Sequence, residues 1–308
     1  MGLGLLGRGV GDAEFLAPLC KELVVTDRKS EQELAAPLAR LKKFSNIRYA
    51  LGSHDEKDFT NTDMVIKAAG VPLDSPYIAA ARTAGVPVYM STALFAKFAA
   101  EAGATIVGVT GTRGKSTTTH LIYHALAAAG KPAVLGGNVR GLSTLALLPG
   151  IKKGDTVVLE LDSWQLQGFG DLKISPHVAV FTNLLADHLN YYQGNEEAYF
   201  WDKANIFTHQ KPGDKLIAGA QVLSKIQKAN PPVAPVVPPP LPHDLKLQLI
   251  GEHNKENAAL AALALRMLGL SEEEIKNGLE SFEPVEGRLQ LTLNRLKRLQ
   301  AVFYFLLA

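Results

Sequence analysis

The sequence predicts an α/β protein with parallel sheets in two successive units. Three observations carry this. Short β-rich runs alternate with helical ones along most of the chain, the pattern of strands joined by helical crossovers. A strand-like run, ATIVGVTG (104–111), feeds a glycine-rich turn and then a long helical run. A second glycine cluster, GLGLLG (2–7), opens the chain ahead of another strand-and-helix series. A length of 308 residues suits two domains of ordinary size.

The elements follow in order. ELVVTD (22–27) reads as a strand ending in an acid, and DMVIKAAG (63–70) as a strand running into a turn. SPYIAAARTAG (75–85) is a helix closed by Gly85, and VPVYM (86–90) the next strand. After the strand at 104–111, TTTHLIYHALAAAG (117–130) is a helix stopped by Gly130. DTVVLEL (155–161) and HVAVFTN (177–183) have the uninterrupted apolar character of buried parallel strands. Residues 229–242 are proline-rich and predict an extended surface loop. NKENAALAALALRMLG (254–269) is strongly helical, and SEEEIKNGLESF (271–282) opens with a serine cap and an acidic first turn. The last eighteen residues, 291–308, are basic and apolar and break with the composition before them.

Composition narrows the function classes. The chain is 47% hydrophobic and 20% charged, with a net charge of +2. That balance is too mild for a nucleic-acid or membrane-surface protein. The single cysteine, Cys20, lies in an apolar stretch and reads as a core or helix-face thiol that forms no internal disulfide. No apolar run reaches the ~18 residues of a membrane span, and no basic-then-apolar leader opens the chain. A cytoplasmic, monomeric enzyme without nucleic-acid or membrane partners is expected.

The stretch GVTGTRGKSTT (108–118) carries the most chemistry. Gly111 and Gly114 let backbone amides turn toward phosphate oxygens, Lys115 can reach the β- and γ-phosphates, and Ser116 or Thr117 offers a hydroxyl to Mg²⁺. The helix that follows points its positive end at the anion. Gly108 stands six residues before Gly114, so this is a variant of the P-loop spacing. A carboxylate that must become an acyl donor needs a leaving group, which ATP supplies as an acyl phosphate. Glu160, ending a buried strand, is placed to hold the Mg²⁺ this requires.

These motifs resemble the Mur ligases and their folylpolyglutamate synthase relatives. GVTGTRGKST, GGNVRG (136–141), LELDSWQL (159–166), TNLLADHLNYY (182–192), YFWDKANIF (199–207) and GEHNKEN (251–257) stand in the family's order. The resemblance implies ATP and Mg²⁺ as cofactors, with Gly111, Thr112, Arg113, Gly114, Lys115, Ser116, Thr117, Asn257 and Arg288 at the nucleotide. It implies Ser116, Glu160, His188 and a carbamylated Lys203 at the metal, and Lys115, Glu160, His188 and Lys203 in catalysis. Asn138, Gln165 and His188 would hold the muramoyl-peptide end. Two positions depart from the family pattern: Asp162 stands where a serine is usual, and Asn190 where an aspartate is common.

GLGLLG followed twenty residues later by Asp27 also fits a dinucleotide site. An NAD-dependent oxidoreductase would, however, leave the P-loop and Glu160 unexplained. Ahead of a P-loop domain, the segment resembles the UDP-binding domain of the glutamate-adding branch, with Leu5, Leu6, Thr26 and Asp27 at the uridine end. The expected plan is a Rossmann-like UDP-binding domain over 1–95 without its first strand, a central P-loop ATPase domain over 96–290, and an atypical tail over 291–308. The family's third domain is expected to be absent. The substrates implied are UDP-N-acetylmuramoyl-alanine and glutamate, and the chain is expected to turn over poorly or not at all. Another Mur or folyl ligase and a non-catalytic nucleotide-binding remnant remain as alternatives.

Overall fold

The computed structural model describes residues 1–72, 74–139, 141–187 and 191–283. The first unit runs α1 (Arg8–Leu16), β1 (Leu23–Asp27), α2 (Ala35–Leu41), β2 (Ile47–Leu51), α3 (Lys57–Thr60), β3 (Val65–Ile66), α4 (Pro76–Thr83), β4 (Val88–Tyr89) and α5 (Ser91–Glu101). Its strands form two parallel pairs, β1–β2 and β3–β4, each over its own small apolar core. Residues 1–2 lie between the pairs. The Gly2 amide donates to Thr26, the Met1 amine to Ile66, and the Ala68 amide back to Met1. Residues 1–2 thereby bridge the two pairs through backbone hydrogen bonds.

The second unit is a doubly covered parallel sheet. It comprises β5 (Thr105–Thr110), α6 (Lys115–Ala128), β6 (Ala133–Gly137), β7 (Thr156–Glu160), α7 (Ser163–Leu172), β8 (Val178–Phe181), α8 (Glu196–Ala204), β9 (Lys215–Ala218), α9 (Ala220–Lys228), β10 (Pro235–Val236), α10 (Glu252–Met267) and α11 (Glu272–Glu280). The order across the sheet is β10-β9-β8-β5-β7-β6, with every pair parallel. Side chains alternate between two cores. Ile106, Val157, Leu159, Ala179 and Phe181 face the layer of α5, α7, α8 and α9, while Val107, Val109, Val158, Val178 and Val180 face α6, α10 and α11. Burying both faces fixes the register, since a slip of one residue would exchange the two sets. The strand that carries the glycine turn, β5, is thereby clamped between β7 and β8.

Two readings need correction, and a third position gains a role. The proline-rich segment is not wholly loop: Pro235 and Val236 pair with Leu216 and Ile217 as an edge strand, a position that tolerates proline. Cys20 is half-buried just after a short 3-10 turn (Ala17–Leu19), neither in the core nor on a helix face. Asp162 serves α7 as its N-cap in a capping box with Gln165, so the acid replaces serine in a role either can fill. Arg140, His188, Asn190, Arg288 and the segment 291–308 lie outside the described residues. Among the described residues no helix is long and apolar enough to cross a membrane.

Helix α11 packs tightly on α6, where a Cβ on Gly278 would lie 2.7 Å from Ala125 Cα. Gly278→Val should therefore cost about 1–3 kcal/mol in urea unfolding. Ser271→Ala, which breaks the capping box of α11, should cost about 1 kcal/mol.

Candidate functional site

The site is built at the carboxyl ends of β5, β7 and β8, where ligands of parallel sheets gather. β5 ends at Thr110, the turn follows, and α6 starts at Lys115. Gly111 has φ +144 and Gly114 φ +82, both outside the range ordinary residues prefer. Space is equally decisive. A Cβ on Gly111 would stand 1.9 Å from Thr182 Oγ1, and one on Gly114 would stand 2.1 Å from Asn257 Oδ1. The turn is tied down on the β8 side. Thr182 Oγ1 donates to Arg113 O at 2.6 Å, Asn183 Oδ1 accepts from Arg113 N at 2.9 Å, and Asn183 O accepts from Thr112 N at 2.9 Å. Thr112 Oγ1 in turn donates to Leu185 O at 3.1 Å.

Two lysines converge on one carbonyl. Lys115 Nζ donates to Gly111 O at 3.0 Å and Thr112 O at 3.1 Å, and Lys203 Nζ donates to Gly111 O at 2.9 Å. Lys203 comes from α8, is 1% exposed, and lies 4.8 Å over the Tyr199 ring. Burial first, and the charge of Lys115 second, lower its pKa from 10.5 to about 7. The carboxylates of Asp162, Asp187 and Asp202 pull the other way without restoring it. At neutral pH a large fraction of Lys203 is thus free amine, a nucleophile rather than a cation.

Glu160 ends β7 and is 6% exposed, yet its carboxylate has no hydrogen-bond or ion-pair partner among the described residues. Its oxygens are left to the opening at the sheet edge, where a cation can reach them. Ser116, also buried, opens α6 on the same edge. Hydroxyl and carboxylate oxygens are the hard donors Mg²⁺ takes, with water and phosphate completing an octahedron. Among the described residues no three His, Cys, Asp or Glu side chains gather into a metal cluster of their own. The donor set therefore fits a cation brought with its phosphates.

The remaining residues named from the sequence fall as follows. Asn138 joins the edge through its backbone, donating to Glu160 O at 2.7 Å. The Gln165 side chain is spent inside, accepting from Asp162 N and donating to Thr92 Oγ1 at 3.0 Å. Asn257 roofs Gly114 and donates to Asn254 Oδ1 at 3.2 Å. Arg113 is exposed and reaches Asp187 at 3.9 Å, and Thr117 is half-buried in the first turn of α6. In the first unit, Asp27 accepts from the Gly4 and Lys29 amides at 2.9 Å each, and Thr26 Oγ1 shares a 2.6 Å hydrogen bond with His54. The glycine turn is thus held shut by Asp27, while Leu5 and Leu6 stand more than half exposed at its tip. Thr182, Asn183 and Tyr199 were not singled out from sequence. The TNLLADHL run held the first two, but only the fold shows that they hold the turn.

Comparison with known proteins gives two family matches along the chain. The Mur ligase middle domain family model matches residues 109–237, and that of the Mur ligase MurD-like N-terminal domain matches residues 1–90. The chain is 33% identical over 325 residues to a UDP-N-acetylmuramoylalanine–D-glutamate ligase of Roseiflexus sp. (strain RS-1), covering 94% of this chain and 68% of that one. It is 40% identical over 218 residues to the enzyme of the same name from Borreliella burgdorferi (strain ZS7), covering 70% and 46%. The chain thus spans between about half and two thirds of the length of these relatives. Among solved structures it is similar to a UDP-N-acetylmuramate:L-alanyl-gamma-D-glutamyl-meso-diaminopimelate ligase from Neisseria meningitides, with a TM-score of 0.61 at 17% identity, covering 92% and 97%. It is also similar to a UDP-N-acetylmuramate–alanine ligase from Thermotoga maritima, with a TM-score of 0.56 at 22% identity, covering 92% and 68%. These likenesses bear on the fold alone.

Two outcomes are expected of the site. Gly114→Ala should cost about 1–3 kcal/mol from its positive φ alone and should displace Asn257, measurable by denaturation. For Lys203 the native pKa lies below the unfolded one, so between about pH 7 and 10 the unfolded state binds more protons. The destabilisation is full below pH 7 and fades as pH rises toward the unfolded value. The stability of Lys203→Met relative to the parent should accordingly be greatest near pH 6 and decline steadily toward pH 10.

Proposed function

The chain belongs to the Mur ligase family, and we propose that it serves ATP-dependent addition of D-glutamate to UDP-N-acetylmuramoyl-L-alanine, an amide-forming step in peptidoglycan precursor synthesis. The observation that carries the reading is the meeting of Lys115 and Lys203 at Gly111 O, at the sheet edge where β7 ends in the unpartnered Glu160. Such an edge suits the triphosphate of ATP, with a divalent cation accompanying it.

In this reading residues 1–95 bind the UDP end and residues 96–290 the nucleotide. Leu5 and Leu6 flank the uracil, Thr26 and Asp27 shape its pocket, and the start of α1 presents free amides to the diphosphate. Asn138, Gln165 and His188 lie along the muramoyl-peptide, Gln165 acting by fixing the start of α7. Amides of Gly111, Thr112, Arg113 and Gly114 surround the phosphates, Lys115 turns from the loop carbonyls to them, and Thr117, Asn257 and Arg288 complete the nucleotide contacts.

The reaction balances in two steps. An alanyl carboxylate oxygen attacks the γ-phosphorus, the bond to the β-phosphate oxygen breaks, and ADP leaves. The glutamate amine then attacks the acyl carbon, inorganic phosphate leaves, and the ammonium proton is lost. Ser116, Glu160, His188 and Lys203 would hold Mg²⁺, which when bound supplies charge neutralisation at the phosphates. Lys203 qualifies only once altered: its free amine attacks the carbon of CO₂, loses a proton and becomes an anionic carbamate. Burial supports this, because it lowers the pKa of the amine from 10.5 to about 7 and so makes free amine available near neutral pH. A cytoplasmic location and a monomeric state belong to the same reading.

Calorimetric titration with ATP and Mg²⁺ tests it. Lys115→Ala should weaken binding by about 1.5–3 kcal/mol, a roughly tenfold to hundredfold loss. Affinity untouched by that change would sink the assignment of the loop. Separately, ¹³C-labelled bicarbonate should give a carbamate carbonyl signal that is missing from Lys203→Arg.

A further inference from the structure

A cavity of about 340 Å³ lies between the two units, away from the phosphate edge. Its walls include Lys67 just after β3, Arg82 on α4, Gln167 and Asp171 on α7, and Asp202 and Asn205 on and after α8. Asp171 is six residues beyond Gln165 on α7, hence about 9 Å further from the phosphate edge. On α8, Lys203 faces Gly111 whereas Asp202 faces this cavity. It is therefore a separate space that touches the same helices from behind.

Its electrostatics are unusual. Lys67 is 6% exposed, and its one hydrogen bond among the described residues is a long 3.4 Å contact to Gln167 Oε1. Asp171 and Asp202 act on it through space without an ion pair, and burial still lowers its pKa to about 8. A nearly enclosed ammonium with one weak partner is expensive unless an anion accompanies it. Arg82 is only loosely held, 3.3 Å from Asp171 Oδ1. Asp202, which lines the cavity, receives Gln167 Nε2 and Tyr192 OH on the same oxygen, each at 2.8 Å, leaving its other oxygen without a hydrogen bond among the described residues. Two cations and two carboxylates thus line one chamber. A plain anion would be repelled by the acids, a plain cation by Lys67 and Arg82, and an apolar guest would strand the Lys67 ammonium.

We propose that this cavity binds a free α-amino acid, its carboxylate between Lys67 and Arg82 and its ammonium against Asp171 and Asp202. The volume equals that of roughly ten liquid waters, room enough for such a molecule with some solvent. Because Lys67 and Arg82 belong to the first unit and the acids to the second, the ligand bridges the units and bears on α8, which carries Lys203. The inference does not depend on which ligation step the phosphate edge performs.

The test uses the 308-residue chain and calorimetric or saturation-transfer titration with L-alanine, L-aspartate, propionate and ethylamine. Saturable binding of an amino acid is expected, about tenfold or more tighter than of propionate or ethylamine, each of which lacks one charge. Arg82→Gln and Asp171→Asn should each weaken it about tenfold, and both residues are exposed enough that their variants should fold. Lys67→Met should abolish it without lowering the melting temperature of the ligand-free chain, since it removes a poorly compensated buried charge. Lys115→Ala and excess ATP should leave it unchanged. Absence of saturable amino-acid binding overturns the proposal. So does propionate binding as tightly as alanine, amino-acid binding indifferent to Arg82→Gln and Asp171→Asn, or displacement by ATP.

Discussion

Everything at the phosphate edge depends on the carbonyl of Gly111. It accepts from Lys115 at 3.0 Å and from Lys203 at 2.9 Å, and two ammonium groups cannot share so small a space without loss. The loss falls on Lys203, which is buried to 1% exposure while Lys115 keeps access to solvent, and burial lowers the pKa of Lys203 more than the neighbouring charge does. The carbonyl is held in place because Gly111 cannot move. Thr182 closes one side of it, and Thr182 and Asn183 hold the next residues of the turn by hydrogen bonds. The chemistry of Lys203 is therefore a consequence of backbone position, set by the register of β5 against β8.

That register is in turn a packing result. Each strand of the large sheet sends alternate residues into two separate cores, and a slip of one position would exchange every side chain between them. Residues such as Val107, Val109, Val158 and Val180 are wholly buried, so the cost of any slip is spread over the entire sheet. The first unit is built more lightly. Its strand pairs are joined through residues 1–2, and Asp27 closes the glycine turn by accepting two backbone amides. Across the units, Ser143 Oγ donates to Asp12 at 2.6 Å, and Gly11 leaves room for that approach.

The sequence made the fold class and most of the second unit readable because buried parallel strands and glycine-stopped helices leave unambiguous local signals. The strand 104–111, the helix after it and the acidic-capped helix α11 all lie within a few residues of where they were expected. Local signals could not show long-range consequences. The capping role of Asp162 was hidden because its partner, the N-terminus of α7, is visible only once that helix is in place. Gln165 looked like a ligand-binding amide, but its side chain is committed to Asp162 and Thr92, the latter 73 residues away. Thr182 and Asn183 govern the glycine turn from about 70 residues along the chain, a relation no spacing rule encodes. The departure of β10 from a pure loop has the same origin, since an edge strand of two residues is dictated by β9 rather than by its own prolines.

The central claim is that Gly111 O gathers Lys115 and a buried Lys203 of lowered pKa into a nucleotide-phosphate site. The most direct measurement is side-chain NMR of lysine-labelled protein, titrated with pH and then with ADP and Mg²⁺, the two signals being assigned by Lys115→Arg and Lys203→Arg. The account expects Lys203 to titrate near pH 7 and both signals to move together when nucleotide is added. A Lys203 that stays protonated to the ordinary lysine range, with both signals indifferent to nucleotide, would contradict it.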